Sequence, residues 1–315
     1  MNTMTLTVQS VDAVATGVRQ VVLAAPDGAE LPAFTAGAHV ELHLPGGLLR
    51  AYSLCNPPWE RHRYVLGVLH AADSRGGSAA VHALQPGQVL RVGAPRNHFA
   101  LLPAPHTVLL AGGIGITPLL AMAEVLEATG AAWELHHACR SADRAAFSPA
   151  LAARLPAGRV HLHLGEGTTA RLGLGARLRQ VPAGSRVYAC GPTGFMAALQ
   201  AEAAAAGWPP DHFHTEAFGA AAPTVGDQPF TLRLSRSGRT VSVAADQTAL
   251  QALLAAGLPV ESSCEAGVCG SCLLPLLGGQ ADHRDSYLTP AEQAAQDRFA
   301  PCCSRARSAE LLLDL

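Results

Sequence analysis

The chain has 315 residues, enough for two or three domains of ordinary size. Hydrophobic residues make up 49% and charged residues 15%, which excludes long disorder, and a formal net charge of −2 excludes a strongly basic nucleic-acid surface. No apolar run reaches the roughly 20 residues that cross a membrane, so neither nucleic acid nor membrane is an expected partner.

The N-terminus, Met1-Asn2-Thr3-Met4-Thr5, has no basic segment leading into an apolar one, so no signal peptide is expected and the expected compartment is the cytoplasm. Eight cysteines then read as metal ligands and buried thiols, not as a disulfide framework. All 22 basic residues are Arg, which we read as composition bias without functional content.

Residues 1 to about 103 are a series of short β-type runs, 6–8, 18–23, 39–44, 49–54, 64–68 and 89–92. Turns at Asp27-Gly28, Pro45-Gly46-Gly47 and Gln85-Pro86-Gly87 punctuate them. Six strands with little helix predict a small antiparallel barrel. Within it, Arg50-Ala51-Tyr52-Ser53-Leu54 lies on a strand. Alternation puts Arg50 and Tyr52 on one side and Ser53 on the other. An Arg suits a phosphate, a Tyr face suits a flat heterocycle, and a Ser hydroxyl suits a ring nitrogen. Further on, Arg75-Gly76-Gly77-Ser78 leads into a helix over 79–84, whose first N–H groups suit an anion. Each motif alone is weak; their order and spacing together point to a flavin phosphate.

From about 106 to 216 strands alternate with helices, which predicts an open parallel sheet with helices on both faces. Two glycine loops follow strands. Ala111-Gly112-Gly113-Ile114-Gly115-Ile116-Thr117-Pro118 opens the first helix, and Cys190-Gly191-Pro192-Thr193-Gly194 follows a later strand. Such loops let a backbone approach a pyrophosphate, although the G-x-G-x-x-G fingerprint is absent. The strand end His137-Ala138-Cys139-Arg140-Ser141 is expected beside an adenosine ribose. It offers no acid for a ribose diol, and Arg140 suits a 2′-phosphate.

A small, turn-rich stretch over 220–229 reads as a linker. A hairpin over 230–243 and a helix over 249–256 follow. The densest chemistry is in Ser262-Ser263-Cys264-Glu265-Ala266-Gly267-Val268-Cys269-Gly270-Ser271-Cys272. Cys264, Cys269 and Cys272 have C-x4-C-x2-C spacing, and Cys302 comes near the C-terminus in Pro301-Cys302-Cys303-Ser304. This is the spacing of a plant-type 2Fe–2S centre. A structural zinc site also uses four cysteines, but more often as two C-x2-C pairs, and the second pair is missing. Gly267 and Gly270 permit the curled backbone and bring amides to the sulfurs. Cys303 competes with Cys302 as fourth ligand; the two are expected on a C-terminal strand, where adjacent residues point to opposite faces, so only one can face the cluster.

Fourteen histidines are scattered, among them His136, His137, His161, His163, His212 and His214, in no metal-ligand spacing, and they read as packing or surface residues. Ser53 has no visible His or Asp partner and no G-x-S-x-G elbow exists, so hydrolase chemistry is not expected and no catalytic side chain is assigned.

Taken together these motifs resemble the phthalate dioxygenase reductase family, which includes the reductases of vanillate O-demethylase. The matching residues run from Arg50 through Arg75-Gly76-Gly77-Ser78, the Gly112 loop, Cys190-Gly191-Pro192 and the Cys264 loop with Gly279-Gln280-Ala281-Asp282-His283-Arg284-Asp285 to Cys302-Cys303-Ser304-Arg305-Ala306. The resemblance implies a multidomain protein: an antiparallel β-barrel flavin domain over 1–103, an α/β parallel-sheet nicotinamide domain over 104–222, and an α+β plant-type ferredoxin (β-grasp) domain over 229–315. It implies FMN, NADH and a 2Fe–2S cluster, an NAD(P)H-dependent oxidoreductase, a Rieske-type oxygenase as acceptor, and a monomer. It implies that Arg50, Gly76, Gly77 and Ser78 hold the flavin phosphate, that Tyr52 packs on the ring and that Ser53 bonds its redox-active nitrogen. Thr117 and Phe218 would flank the flavin–nicotinamide junction, and Gly112, Gly113, Gly115, Cys190, Gly191 and Pro192 would line the nicotinamide site. The family's fixed distance to the C-terminus selects Cys302 over Cys303. Ala51 departs from it, since Thr is common there in relatives.

Electron counting agrees with that order. Nicotinamide gives two electrons as hydride, a 2Fe–2S cluster takes one, and a flavin between them handles both. A free-standing flavin reductase and a redox-sensing regulator are the competing readings.

Overall fold

A computed structural model describes residues 3–71, 76–165, 172–218, 226–262, 265, 267, 270–285 and 287–315. The chain divides into two units, Met1–Ala217 and Phe218–Leu315.

The first unit opens with six strands: β1 (Thr3–Ala15), β2 (Val18–Ala24), β3 (His39–Leu44), β4 (Leu48–Ser53), β5 (Tyr64–Leu69) and β6 (Val89–Gly93). They pair antiparallel in the order β4-β3-β6-β1-β2-β5. A bridge between Leu54 and Leu66 joins the two ends and closes the barrel. Leu6, Val8, Leu42, Leu54, Tyr64 and Leu66 fill it, with the alternation a half-buried strand requires. A short helix, α1 (Gly77–His82), begins two residues before the expected start.

Five parallel strands follow: β7 (Thr107–Gly112), β8 (Trp133–Cys139), β9 (Val160–Leu164), β10 (Arg186–Gly191) and β11 (Phe213–Ala217), in the order β11-β10-β7-β8-β9. The helices are α2 (Ile116–Ala128), α3 (Ser148–Arg154), α4 (Leu174–Leu178) and α5 (Thr193–Ala205). Side chains of α2 and α3 pack on Leu109, Ala111 and Leu135, and those of α4 and α5 on Val108, Leu110 and Ala189. The chain runs outward through β8 and β9 and returns to β10 on the other side of β7. The crevice between β7 and β10 is therefore the switch point where such sheets bind ligands. The boundary expected at 103/104 is a change of sheet and not a break in packing, because Val22, Ala36, Cys55, Val65 and Phe99 share one core with α2.

The second unit holds β12 (Phe230–Leu234), β13 (Thr240–Val243), α6 (Ala249–Ala255), β14 (Leu274–Gly278), β15 (Ala281–Asp282), α7 (Pro290–Ala295), β16 (Arg298–Phe299), β17 (Arg305–Ala306) and β18 (Glu310–Leu313). The mixed sheet runs β13-β12-β18-β14-β16, with β12 parallel to β18, and β15 pairs with β17. Helix α6 starts at a capping box of Thr248 and Gln251 and packs Ala249, Ala252 and Leu253 on Phe230, Leu232 and Val243. Arg305 is buried under the sheet. It donates to the carbonyls of Gln228, Ala244 and Gln247 and lies over the Phe230 ring at 5.2 Å. One expectation fails here: Cys302 and Cys303 are in a turn over 301–303 between β16 and β17, so strand alternation cannot separate them.

Candidate functional site

At the switch point the two glycine loops touch. Gly112 ends β7 and Gly191 ends β10, and Cys190 pairs with Ala111. A methyl group on Gly191 would lie 2.9 Å from Cα of Gly112, and one on Gly115 would lie 2.1 Å from the Cys190 carbonyl oxygen. Neither position accepts a side chain. Gly115 caps α2, and Pro192 caps α5. Both helices have 13 residues and open at the crevice, where their first N–H groups suit a pyrophosphate. Behind the loop, His137 is fully buried. Its Nε2–H donates to the Gly113 carbonyl at 2.8 Å, which leaves Nδ1 to accept from the Ser148 hydroxyl. Burial lowers its pKa to about 4, so the ring stays neutral and pins the loop.

On the barrel side the structure joins two motifs that the sequence separates. Gly76 has φ +89°, and a methyl group on Gly77 would sit 2.6 Å from Nε of Arg50. The Arg50 side chain therefore lies over the glycine turn, with an N–H donated to the Leu49 carbonyl at 2.8 Å. Ser78 Oγ accepts the Ala71 N–H at 3.1 Å. Arg75 lies outside the described residues. Tyr52 packs on the barrel core, and burial pushes its hydroxyl up to about 12 against the pull of Arg50.

Barrel and sheet meet at a carboxyl group that sequence reasoning missed. Ser53 Oγ donates to Oε2 of Glu216 at 3.4 Å. Glu216 is on β11 opposite Cys190. Burial raises its pKa to about 8, with the Ser53 hydroxyl pulling the other way. Burial, then the nearby Glu216, pushes the Cys190 thiol well above its usual range. Thr117 is buried here and donates to the Ile114 carbonyl at 3.0 Å. A methyl group on Gly67 of β5 would lie 2.7 Å from Thr117 Cγ2, so Thr117 stands at the barrel–sheet contact. Ser53 does have an acidic partner, 163 residues away, and the only signal was a lone Glu at the end of the last strand. Phe218 directly follows β11 as the first residue of the second unit and is 43% exposed.

In the second unit, Cys264 and Cys269 lie outside the described residues. Cys272, Cys302 and Cys303 are buried. Cys302 bonds to the Cys272 thiol, which lowers its pKa. Cys303 and burial outweigh that contact, so the Cys302 thiol stands above its usual range even with the Gly267 amide as donor. Two touching buried thiols with an amide aimed at one of them suit thiolates that share a metal centre. Gly267 and Gly270 have φ +76° and +72°, as the curled loop requires. Methyl groups there would strike the Cys303 sulfur and the Tyr287 ring, at 2.5 and 2.4 Å. The distinction between the adjacent thiols comes from these contacts: Cys302 faces Cys272, and Cys303 packs behind Gly267. Asp285 fastens the turn. It accepts the Leu288 N–H at 2.9 Å and the Ser304 hydroxyl at 3.2 Å.

Residues 232–307 match the 2Fe-2S iron-sulfur cluster binding domain. Over 294 residues the chain is 47% identical to a vanillate O-demethylase oxidoreductase from a Pseudomonas species, covering 92% of each chain. It is 46% identical to the phenoxybenzoate dioxygenase subunit beta of Ectopseudomonas oleovorans, over 93% of this chain and 91% of that one. The solved structure of phthalate dioxygenase reductase, described as modular for electron transfer from pyridine nucleotides to [2Fe-2S], superposes with a TM-score of 0.75 at 37% identity. It covers 99% of this chain and 98% of that one.

Proposed function

This chain belongs to the phthalate dioxygenase reductase family, and from that premise we propose how its residues carry the family's reaction. It is an NADH-dependent iron–sulfur flavoprotein that passes electrons from nicotinamide through FMN to a 2Fe–2S cluster and on to an oxygenase component. We take that component to be a Rieske-type aromatic oxygenase or O-demethylase, and the reductase to be a cytoplasmic monomer.

Arg50 and the amides of Gly76, Gly77 and Ser78 hold the FMN phosphate, Tyr52 covers the ring, and Ser53 faces its redox-active nitrogen. Gly112, Gly113, Gly115, Cys190, Gly191 and Pro192 cradle the nicotinamide coenzyme, with Thr117 at the junction. Cys264, Cys269, Cys272 and Cys302 hold the cluster. FMN held there would supply the means to take a hydride's two electrons together and pass them on one at a time to a cluster held by those cysteines. The residues hold this geometry. His137 fixes the Gly113 carbonyl, and the two loops can approach only because they lack side chains. Glu216 keeps its proton at neutral pH, so no bare negative charge stands beside Ser53 and Cys190.

One observation carries the reading. The glycine loops of the parallel sheet and Ser53 of the barrel meet at Glu216, and this supports one point where a hydride donor and a flavin ring would come together. Deleting residues 229–315 tests it. The truncated protein is expected to keep NADH–ferricyanide activity and lose NADH–cytochrome c activity; retained cytochrome c reduction would instead make the protein a free-standing flavin reductase. A tenfold preference for NADPH in catalytic efficiency, about 1.4 kcal/mol, would overturn the choice of NADH.

A further inference from the structure

We propose that Glu134, His136 and His161 form a binding site for a divalent transition metal of the zinc class, within the parallel sheet and separate from the cluster. The donor set is assembled by strand pairing. His136 on β8 pairs with His161 on the edge strand β9, and Glu134 precedes His136 by two residues on the same face. The ligand atoms of these three residues all lie within 4.8 Å of one another. Imidazole and carboxylate donors in that number suit zinc, whose bonds to nitrogen are about 2.0–2.1 Å.

The buried member of the set is unfinished without an ion. His136 is fully buried, and its Nε2 faces a Glu134 oxygen at 3.1 Å but out of line for a hydrogen bond. A buried nitrogen pointed at a carboxylate and left without a bond in line needs an explanation, and an ion between the two supplies one. Its other nitrogen, Nδ1, is already engaged with Nε2 of His163 at 2.9 Å. An outer partner of that kind orients a ligating imidazole and fixes its tautomer. Two features oppose binding. Arg177 donates to Glu134 at 3.0 Å, so the ion exchanges that pair for a metal bond. The His136 and His161 rings are stacked 8° from parallel, so His161, half-buried on the edge strand, must turn to aim a nitrogen inward.

The test is calorimetric titration of the flavin- and cluster-loaded protein with zinc, together with zinc-edge X-ray absorption. One equivalent is expected, with nitrogen and oxygen neighbours at about 2.0–2.1 Å. His161→Asn and Glu134→Gln should each weaken binding more than about tenfold, while NADH–ferricyanide activity shows that both variants remain folded. No bound equivalent, a sulfur shell at about 2.3 Å, or undiminished affinity in both variants would overturn the site.

Discussion

Each unit buries a carboxyl group beside its proposed redox site, and the two are treated in opposite ways. Among the described residues, Glu216 in the first unit has one long hydroxyl contact, from Ser53, and no cation or backbone N–H is recorded beside it; burial then dominates and holds its proton up to about pH 8. Asp285 in the second unit is fastened on several sides, by the Leu288 N–H, the Ser304 hydroxyl and His283 Nδ1 at 3.4 Å. A buried acid with few partners keeps its proton to higher pH. An acid with many partners is a clamp, and Asp285 clamps the turn that carries Cys302. The difference teaches that burial alone does not give a carboxyl its role; the number of donors aimed at it does.

The largest test of the comparison removes the group that Asp285 positions. Cys302→Ser should cut NADH–cytochrome c reduction by more than about a hundredfold and abolish the normal reduced-cluster EPR signal. Flavin reduction by NADH should persist, because it takes place in the first unit, and Cys303→Ser should leave both signals near wild type. If the two variants exchange behaviour, the assignment of Cys302 is wrong. The double variant checks for rescue by the neighbouring thiol.

Asp285→Asn should cost about 1–3 kcal/mol in the second unit, because Asn keeps only one acceptor oxygen and leaves either the Leu288 amide or the Ser304 hydroxyl facing an NH2 group. Denaturation followed by cluster absorbance measures it; an unchanged midpoint would remove Asp285 as a clamp.

Glu216→Gln probes the other side. The Glu216 pKa is raised in the fold from an ordinary 4.5 to about 8. Between those values the folded state holds a proton that the unfolded state has lost. Its contribution is therefore complete below about pH 4.5 and is lost as pH rises through about 8, at up to about 1.4 kcal/mol per pH unit. Wild type should lose stability from pH 5 to 8 more steeply than Glu216→Gln in parallel denaturant titrations. Equal slopes would mean that Glu216 is ionised in the fold.

The smallest effect is expected at Thr248→Ala, which removes one half of the α6 capping box and should cost about 1 kcal/mol without altering either redox site. Loss of cluster absorbance in that variant would show that α6 supports the thiols more directly than its packing on the sheet implies.

The amino-acid sequence alone was sufficient for the order of elements in the first unit and for the C-x4-C-x2-C spacing of a cluster loop. The β-runs over 18–23, 39–44 and 64–68 and the strand–helix alternation after 106 follow from local periodicity, which a backbone expresses without distant help. The spacing of Cys264, Cys269 and Cys272 is legible for the same reason: three ligands within nine residues must share one loop. Tertiary structure decided whatever depends on distant strands being brought side by side. Arg50 over Gly77, Glu216 against Ser53, and His136 opposite His161 are set by sheet order and register, which no local pattern encodes. The turn at Cys302 belongs with these. Its two thiols look equivalent along the chain; in the fold Cys302 meets the Cys272 thiol and the Gly267 amide, and the Cys303 sulfur fills the space that a side chain on Gly267 would need.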